Sequence, residues 1–489
     1  MSNQGRDNQN LKEKTAQGLY WGFLSSSAMQ LLNLVIGIFL ARLLSPEEYG
    51  IVAMLAIFTL IAGNLQDSGF SVALINIKDI KHNDYNAVFW FNTGVSLLLY
   101  VLLFLSAPLI AGFYHQPCLV PLSRFLFLGF IFASMGIVPN AVLTRELRVK
   151  EKAIVSLLAL LLSGTVGVVM AFKGFSYWSL ATQQLLYNVI ICIGRYYFAR
   201  WVPSFKVDFT PVKQMFAFSY KVLITAVLTT INNNMLTVVL GRLFPAASVG
   251  NYNQANKWNT MANQLVSNTI AQVAQPVLMR VNDDQERQRR VFGKMMRFTA
   301  FLAFPAMFGL SLVAPQVILI AIGEKWIDSI PLLQILCISG AFIPMYTVYQ
   351  NLFLSMGKSD YYMWLTISQI VIMLAAVMAC HSMGVKAMVV AFACISILWL
   401  LVWQVFASRL IGYRFMSMMR DLMPFLFIAI AVMGLTWLVT MPVSNIYLLL
   451  IIRVIVAFLL YVTVMKLSRA VIFKECMDYL SDKFRRNRQ

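Results

Sequence analysis

Residues Leu40 to Gly50 read LARLLSPEEYG, and residues Leu240 to Gly250 read LGRLFPAASVG. Leu40, Arg42, Leu43 and Gly50 recur as Leu240, Arg242, Leu243 and Gly250 at a constant offset of 200, with Asn33 matched by Asn233 and Tyr20 by Tyr220. Each segment follows a long apolar run that opens a set of six such runs. Pro139 in the fourth run and Pro344 in the tenth extend the relation with a small insertion. An even number of crossings between copies gives both halves the same orientation, as in transporters built from parallel repeats.

The chain around this repeat is 489 residues long, 60% hydrophobic and only 12% charged, with a mean hydropathy of +0.73. Soluble domains carry about 25% charged residues, so half that density over this length belongs to a membrane protein. Disorder is excluded too, because disordered chains are poor in aromatics and rich in charge, whereas aromatics here reach 13%.

A bilayer core of about 30 Å needs roughly 20 apolar residues per spanning helix. Fourteen stretches qualify, near residues 16–41, 49–76, 86–113, 121–144, 153–173, 177–199, 212–241, 249–279, 293–321, 330–356, 360–382, 386–410, 421–441 and 445–470. The seventh and eighth are unusually polar. The expected fold is therefore an all-α integral membrane protein: an N-lobe of six helices over residues 1–205, a C-lobe of six over 206–415, and two further helices with a basic tail over 416–489. The polar start MSNQGRDNQNLKEK has no cleavage site after the first apolar run, so the first helix is expected to stay in the mature chain.

The net charge of +19 comes from 39 Lys and Arg against 20 Asp and Glu. Basic residues concentrate in cytoplasmic loops, and with both termini inside, 30 of the 39 fall on that face. The outer face holds Arg42, Arg124, Lys173, Arg242, Lys325 and Lys386, while Lys221, Lys257 and Arg453 lie within helices. The clusters MRVNDDQERQRRVFGKMMR and DKFRRNRQ are accordingly anchors beside anionic headgroups, and no motif supports a nucleic-acid partner.

Polar groups in a membrane face a protein interior or a wet cavity. In the eighth run Asn253, Asn256, Lys257, Gln264, Asn268 and Gln275 fall in a stripe about 120° wide. Lys221, Thr225, Thr229 and Asn232 share a face of the seventh. Such surfaces suit a ligand with many hydroxyls and some negative charge, with Lys221 and Lys257 on its anionic part; helix-to-helix hydrogen bonding is the plainer alternative. Arg42 and Arg242 sit at the outer mouth in both repeats, as cavity residues or interfacial anchors. Arg453 reads as a local pairing or snorkelling residue. Asp67, with Asn64 and Ser71 on one side of its helix, is the candidate for proton or sodium coupling, or else a brace for a broken helix. The histidines His82, His115 and His381 have no metal-ligand spacing, six scattered cysteines form no pair, and no phosphate loop occurs. Neither catalysis, nor a metal, nor a bound cofactor is expected.

The segments ARLLSPEEYG, DSGFSVALINIKD, LGRLF with VGNYNQA, FGKMMRF and the IGEKW at Ile322 to Trp326 resemble those of the Wzx-type polysaccharide flippases, nearest the colanic-acid exporter branch. These belong to the multidrug/oligosaccharidyl-lipid/polysaccharide (MOP) exporter superfamily. The resemblance covers nearly the whole chain and implies a bacterial inner-membrane flippase for undecaprenyl-pyrophosphate-linked oligosaccharide, working by alternating access. It further implies a hydrated cationic cavity between the lobes, and as partners membrane lipids and the polymerase and glycosyltransferases of the same pathway. Many such proteins have an acidic residue where this chain has Asn232, Asn233 and Asn234, which weakens ion coupling through the second lobe. A multidrug exporter of the same superfamily and a membrane glycan polymerase or ligase are the alternatives; the first calls for a drier, acidic cavity, the second for a large outer loop, and every outer loop here is short.

Overall fold

The computed structural model describes residues 3–67, 70, 74–75, 80–205, 208–468, 470, 472–475 and 477–478, and the side chains of residues 3–20, 22–23, 67, 211, 213–222, 225, 272–273 and 359 lie outside that description. Every described secondary element is helical. Among the described residues fourteen long helical segments follow one another: α1 (Asn3–Leu43), α2 (Pro46–Asp67), α3 (His82–Tyr114), α4 (Leu119–Arg145), α5 (Val149–Phe172), α6 (Trp178–Ala199) and α7 (Thr210–Leu243). Then come α8 (Ala246–Arg280), α9 (Gln285–Ala321), α10 (Ser329–Ser355), α11 (Ser359–Ala379), α12 (Val385–Ile411), α13 (Phe415–Thr440) and α14 (Ile446–Leu467). Each overlaps one apolar run of the sequence. Among the described residues, eleven of them reach by length and composition the hydropathy of a membrane span, and α6, α7 and α8 are not among these. In α8 the cause is visible in the sequence, namely its run of amides with Lys257.

Exposed large apolar side chains such as Leu105, Leu109, Phe172, Phe458 and Leu459 coat the outer helices. In water a surface of this kind would aggregate; facing hydrocarbon it is the expected solvent contact, and the helices satisfy their own backbone groups there. The chain is a multi-pass membrane protein.

Two of the fourteen helices are broken. α4 is interrupted at Leu128 and Gly136, and α10 at Ala341 and Phe342. In each, the last break lies just before the repeat-related proline, Pro139 or Pro344, which has no N–H to donate to the carbonyl four residues back, that of Met135 or Gly340.

By packing, the chain divides into Met1–Gly250 and Asn251–Gln489. In the first unit α5 packs on α1 and α6, and α7 packs on α2 and α3. Gly164 of α5 admits Ile36 of α1, where a Cβ would lie 2.3 Å from the Ile36 side chain. Around that crossing Ile36, Leu40, Leu44 and Leu160 form a buried cluster. In the second unit α9 is central, against α10, α13 and α14, and α12 packs on α10 and α11. Its aromatic core stacks Phe353 on Trp403 at 5.3 Å and sets Phe292 edge-on to Tyr349 and Tyr413. Within the first unit α7 is tied to α2 and α3, and the first turn of α8 to α2. One tie is Asn64 of α2, whose Nδ2 donates to Thr230 Oγ1 at 2.7 Å and to the Ala226 carbonyl at 3.3 Å.

A second tie gives the sequence repeat a physical meaning. A Cβ on Gly50 would lie 1.8 Å from the Ala246 carbonyl oxygen, and one on Gly250 would lie 1.8 Å from that of Pro46. Positions 46 and 50 correspond to 246 and 250 at the offset of 200, so the first turns of α2 and α8 touch reciprocally about a local two-fold. Only glycine permits this backbone approach, as at small-residue crossings in membranes generally. The α2 side is fixed by a capping box, in which Glu48 Oε2 accepts from the Ser45 backbone N–H and Ser45 Oγ from that of Glu48, with Pro46 at the first helical position.

Before α7, Asp208 accepts from the hydroxyl of Thr210 at 2.6 Å, its backbone N–H at 2.9 Å and Asn83 Nδ2 at 3.3 Å. Those donors, the Thr210 hydroxyl foremost, hold its carboxyl below the ordinary range.

Candidate functional site

The candidate residues lie mostly on α7 and α8. On α8, Asn253 and Asn256 are half-buried, and Lys257, Gln264, Asn268 and Gln275 are exposed. None of their side chains makes a hydrogen bond or ion pair with another described residue. From Asn253 to Asn268 this open stripe runs fifteen residues, about 22 Å at 1.5 Å per residue, most of the thickness of a bilayer core. Unpaired amides and an ammonium over that length need water or a ligand.

The opposite side of the same helix is also rich in amides, and there Asn251, Asn259 and Asn263 are engaged within the protein, although Asn263 Oδ1 is left without a partner. Asn251 is buried and its Oδ1 accepts from Ser329 Oγ of α10 at 2.8 Å. Asn259 and Asn263 are buried one turn apart, with Asn263 Nδ2 donating to the Asn259 carbonyl and to its Oδ1, both at 3.2 Å. They lie directly over Gly340, where a Cβ would meet Asn259 Oδ1 at 2.3 Å and Asn263 Nδ2 at 2.8 Å. That glycine precedes the break in α10. The polar stripe and a hydrogen-bonded packing face thus occupy different sides of α8. The second amide set was overlooked in the sequence, although the i, i+4 spacing of Asn259 and Asn263 is a legible signal of a shared face.

On α7, Asn232 is half-buried, and the adjacent Asn234 is used internally, its Nδ2 donating to the Thr230 carbonyl at 2.9 Å. Lys221 is a helical position whose side chain is outside the described residues, and the same holds for Asp67 on α2. Thr230 therefore takes both Asn64 and Asn234, which makes Asn64 a positioning residue for the polar part of α7.

Arg42 and Arg242 are exposed. The Arg242 guanidinium donates to the Phe113 carbonyl at 2.7 Å, contacts the His115 ring at 2.7 Å and covers the Phe113 ring at 5.3 Å. His115, at φ 55°, terminates α3 in the left-handed conformation, so Arg242 neutralises the carbonyl end of that helix. Here the anchoring role is visible, while Arg42 has a partner of its own within the structure. By unit, Asn232, Arg42 and Arg242 belong to the first and Asn253, Asn256, Lys257, Gln264 and Asn268 to the second.

Comparison with known proteins gives the following. Residues 39–331 match the family described as polysaccharide biosynthesis protein. The lipopolysaccharide biosynthesis protein WzxC of Escherichia coli is 28% identical over 68% of each chain. The succinoglycan biosynthesis transport protein ExoT of Rhizobium meliloti is 26% identical over 83% of this chain and 80% of its own. The teichuronic acid biosynthesis protein TuaB of Bacillus subtilis is 25% identical over 72% of this chain and 73% of its own. Among solved structures, the fold is similar to the lipid II flippase MurJ in an inward closed conformation, with a TM-score of 0.74, 14% identity, and 92% of this chain and 100% of that one covered. It is also similar to an inward-facing multidrug resistance transporter of the MOP superfamily, with a TM-score of 0.63, 17% identity, and 78% and 95% covered.

Proposed function

Because the chain belongs to the polysaccharide biosynthesis protein family, we propose that it is a flippase which carries undecaprenyl-pyrophosphate-linked oligosaccharide across the bacterial inner membrane for surface polysaccharide synthesis. Relatives named for lipopolysaccharide, succinoglycan and teichuronic acid synthesis differ in glycan. A common carrier, a lipid-linked saccharide unit, accounts for one family serving all three.

The single observation that carries the reading is the open stripe of α8. A headgroup with many hydroxyls and two phosphates cannot enter hydrocarbon unaided. Amides exchange hydrogen bonds with sugar hydroxyls as readily as water does, so Asn253, Asn256, Gln264 and Asn268 give the glycan a path. Lys257, a compact charge with three rotatable donors, meets the pyrophosphate, and Lys221 serves the same charge from α7. Neither task makes or breaks a covalent bond, so the protein acts as a transporter rather than an enzyme. Both termini lie in the cytoplasm on this reading, and α1 to α6 and α7 to α12 alternate access, with Asp67 taking up a proton or sodium ion during the cycle.

The test is replacement of the lysines. Lys221→Ala and Lys257→Ala each abolish surface polysaccharide while the protein remains in the membrane at normal level. Normal polysaccharide in both variants contradicts the proposal, and drug sensitivity of a deletion strain with intact polysaccharide favours a multidrug exporter instead.

A further inference from the structure

We propose that α9, α13 and α14 form a site for an anionic glycerophospholipid, with its phosphate on Arg453 and one acyl chain in the groove beneath. Arg453 is 8% exposed, seven residues into α14. Its Nε donates to Thr440 Oγ1 at 3.2 Å, and its Nη1 to the Leu312 carbonyl at 3.1 Å and to Gln316 Oε1 at 3.0 Å. All three acceptors are neutral. The guanidinium has more donors than these bonds use, and among the described residues neither a carboxylate nor any acceptor for Nη2 accompanies it. A cation at membrane depth is costly unless an anion meets it, so the arrangement is half of a pair.

The other half is indicated by what Arg453 borders. It lines a cavity of about 450 Å³ whose remaining wall is almost wholly apolar, with Phe301, Pro305, Ala457 and Phe458 along it and Phe473 at the far end. Val454 and Phe458 are 52% and 67% exposed beside it, so the groove is open to lipid. From Arg453 to Tyr461 it follows α14 for eight residues, about 12 Å, near the depth of one leaflet of a core about 30 Å thick. Arg453 stands at the end of the bundle where α13 finishes at Thr440 and α9 finishes at Ala321, and its side chain leans toward the start of α14. A positive charge held inside the membrane, with its side chain reaching toward the headgroups above a slot nearly one leaflet deep, matches a phosphate and an acyl chain. A polyprenyl tail, several times longer than a leaflet is deep, does not fit such a slot.

The experiment uses the full chain in phosphatidylcholine nanodiscs doped with phosphatidylglycerol, reading retained lipid by native mass spectrometry. The wild type retains phosphatidylglycerol over phosphatidylcholine by about tenfold, the worth of one charge-assisted contact. Arg453→Gln removes the preference. Ala457→Trp, which fills the groove and leaves the charge, lowers retention as well and decides the matter should Arg453→Gln fail to fold. Equal retention in wild type and variants overturns the proposal, as does displacement of phosphatidylglycerol by an equimolar amount of undecaprenyl phosphate, which would give the site to the carrier lipid. Lipid retention is read without transport, so failure here and failure of the flippase reading are separate results.

Discussion

On one face of α8, Asn251 and the pair Asn259 and Asn263 are buried, hydrogen-bonded and pressed against α10; on the other, Asn253, Asn256, Lys257, Gln264 and Asn268 are open and unpaired. The residue type is the same, so composition does not separate the roles. Pairing does. A buried amide without a partner loses its hydrogen bonds with water, so the closed face is committed to structure. The open face keeps its hydrogen-bonding capacity for something that passes.

The largest effect is expected where the comparison is anchored, at the reciprocal crossing that starts α8. Gly50→Val or Gly250→Val drives a side chain into a backbone carbonyl that has no rotamer to move, and neither variant should accumulate in the membrane, as an immunoblot of membrane fractions will show. Next come the two faces themselves. Asn251→Ala leaves the Ser329 hydroxyl buried and unpaired and should cost about 1–3 kcal/mol, seen as a lower melting temperature in detergent, with transport per folded molecule retained. Lys257→Ala should reverse that pattern, leaving stability within about 0.5 kcal/mol while transport is lost. Smaller again, Gln264→Leu or Asn268→Leu removes one neutral hydrogen bond to the glycan and should slow transport by tenfold at most, since such a bond is worth about 0.5–1.5 kcal/mol. Arg242→Gln ranks last. Its contacts at the end of α3 are exposed, and a loss of about 0.3–1 kcal/mol is expected from the helix dipole.

Much of the fold was legible because a membrane imposes one element type and one length. Each of the fourteen apolar runs overlaps a helix, and Pro139 and Pro344, read in the sequence only as marks of the repeat, lie just after breaks in α4 and α10. The repeat at Leu40 and Leu240 was visible as identities in sequence. Its physical content was not: that Gly50 meets Ala246 and Gly250 meets Pro46 depends on which helices cross, and the spacing within one helix carries no information about its partner. The same limit explains α8. Periodicity showed that Asn253, Lys257 and Gln264 share a face, but not that Asn251, Asn259 and Asn263 share another that α10 consumes. Arg242 was legible as an outer-face cation, whereas its hold on Phe113 and His115 depends on a helix more than a hundred residues earlier.

The most direct test is reconstitution of the purified protein in vesicles with undecaprenyl-pyrophosphate-linked oligosaccharide, following its appearance in the opposite leaflet for wild type, Lys257→Ala and Asn251→Ala. Transport by the wild type, a fall to the protein-free background in Lys257→Ala, and a wild-type rate per folded molecule in Asn251→Ala are the predicted results. A Lys257→Ala protein that flips the lipid as fast as wild type would contradict the assignment of the open face of α8 to the substrate.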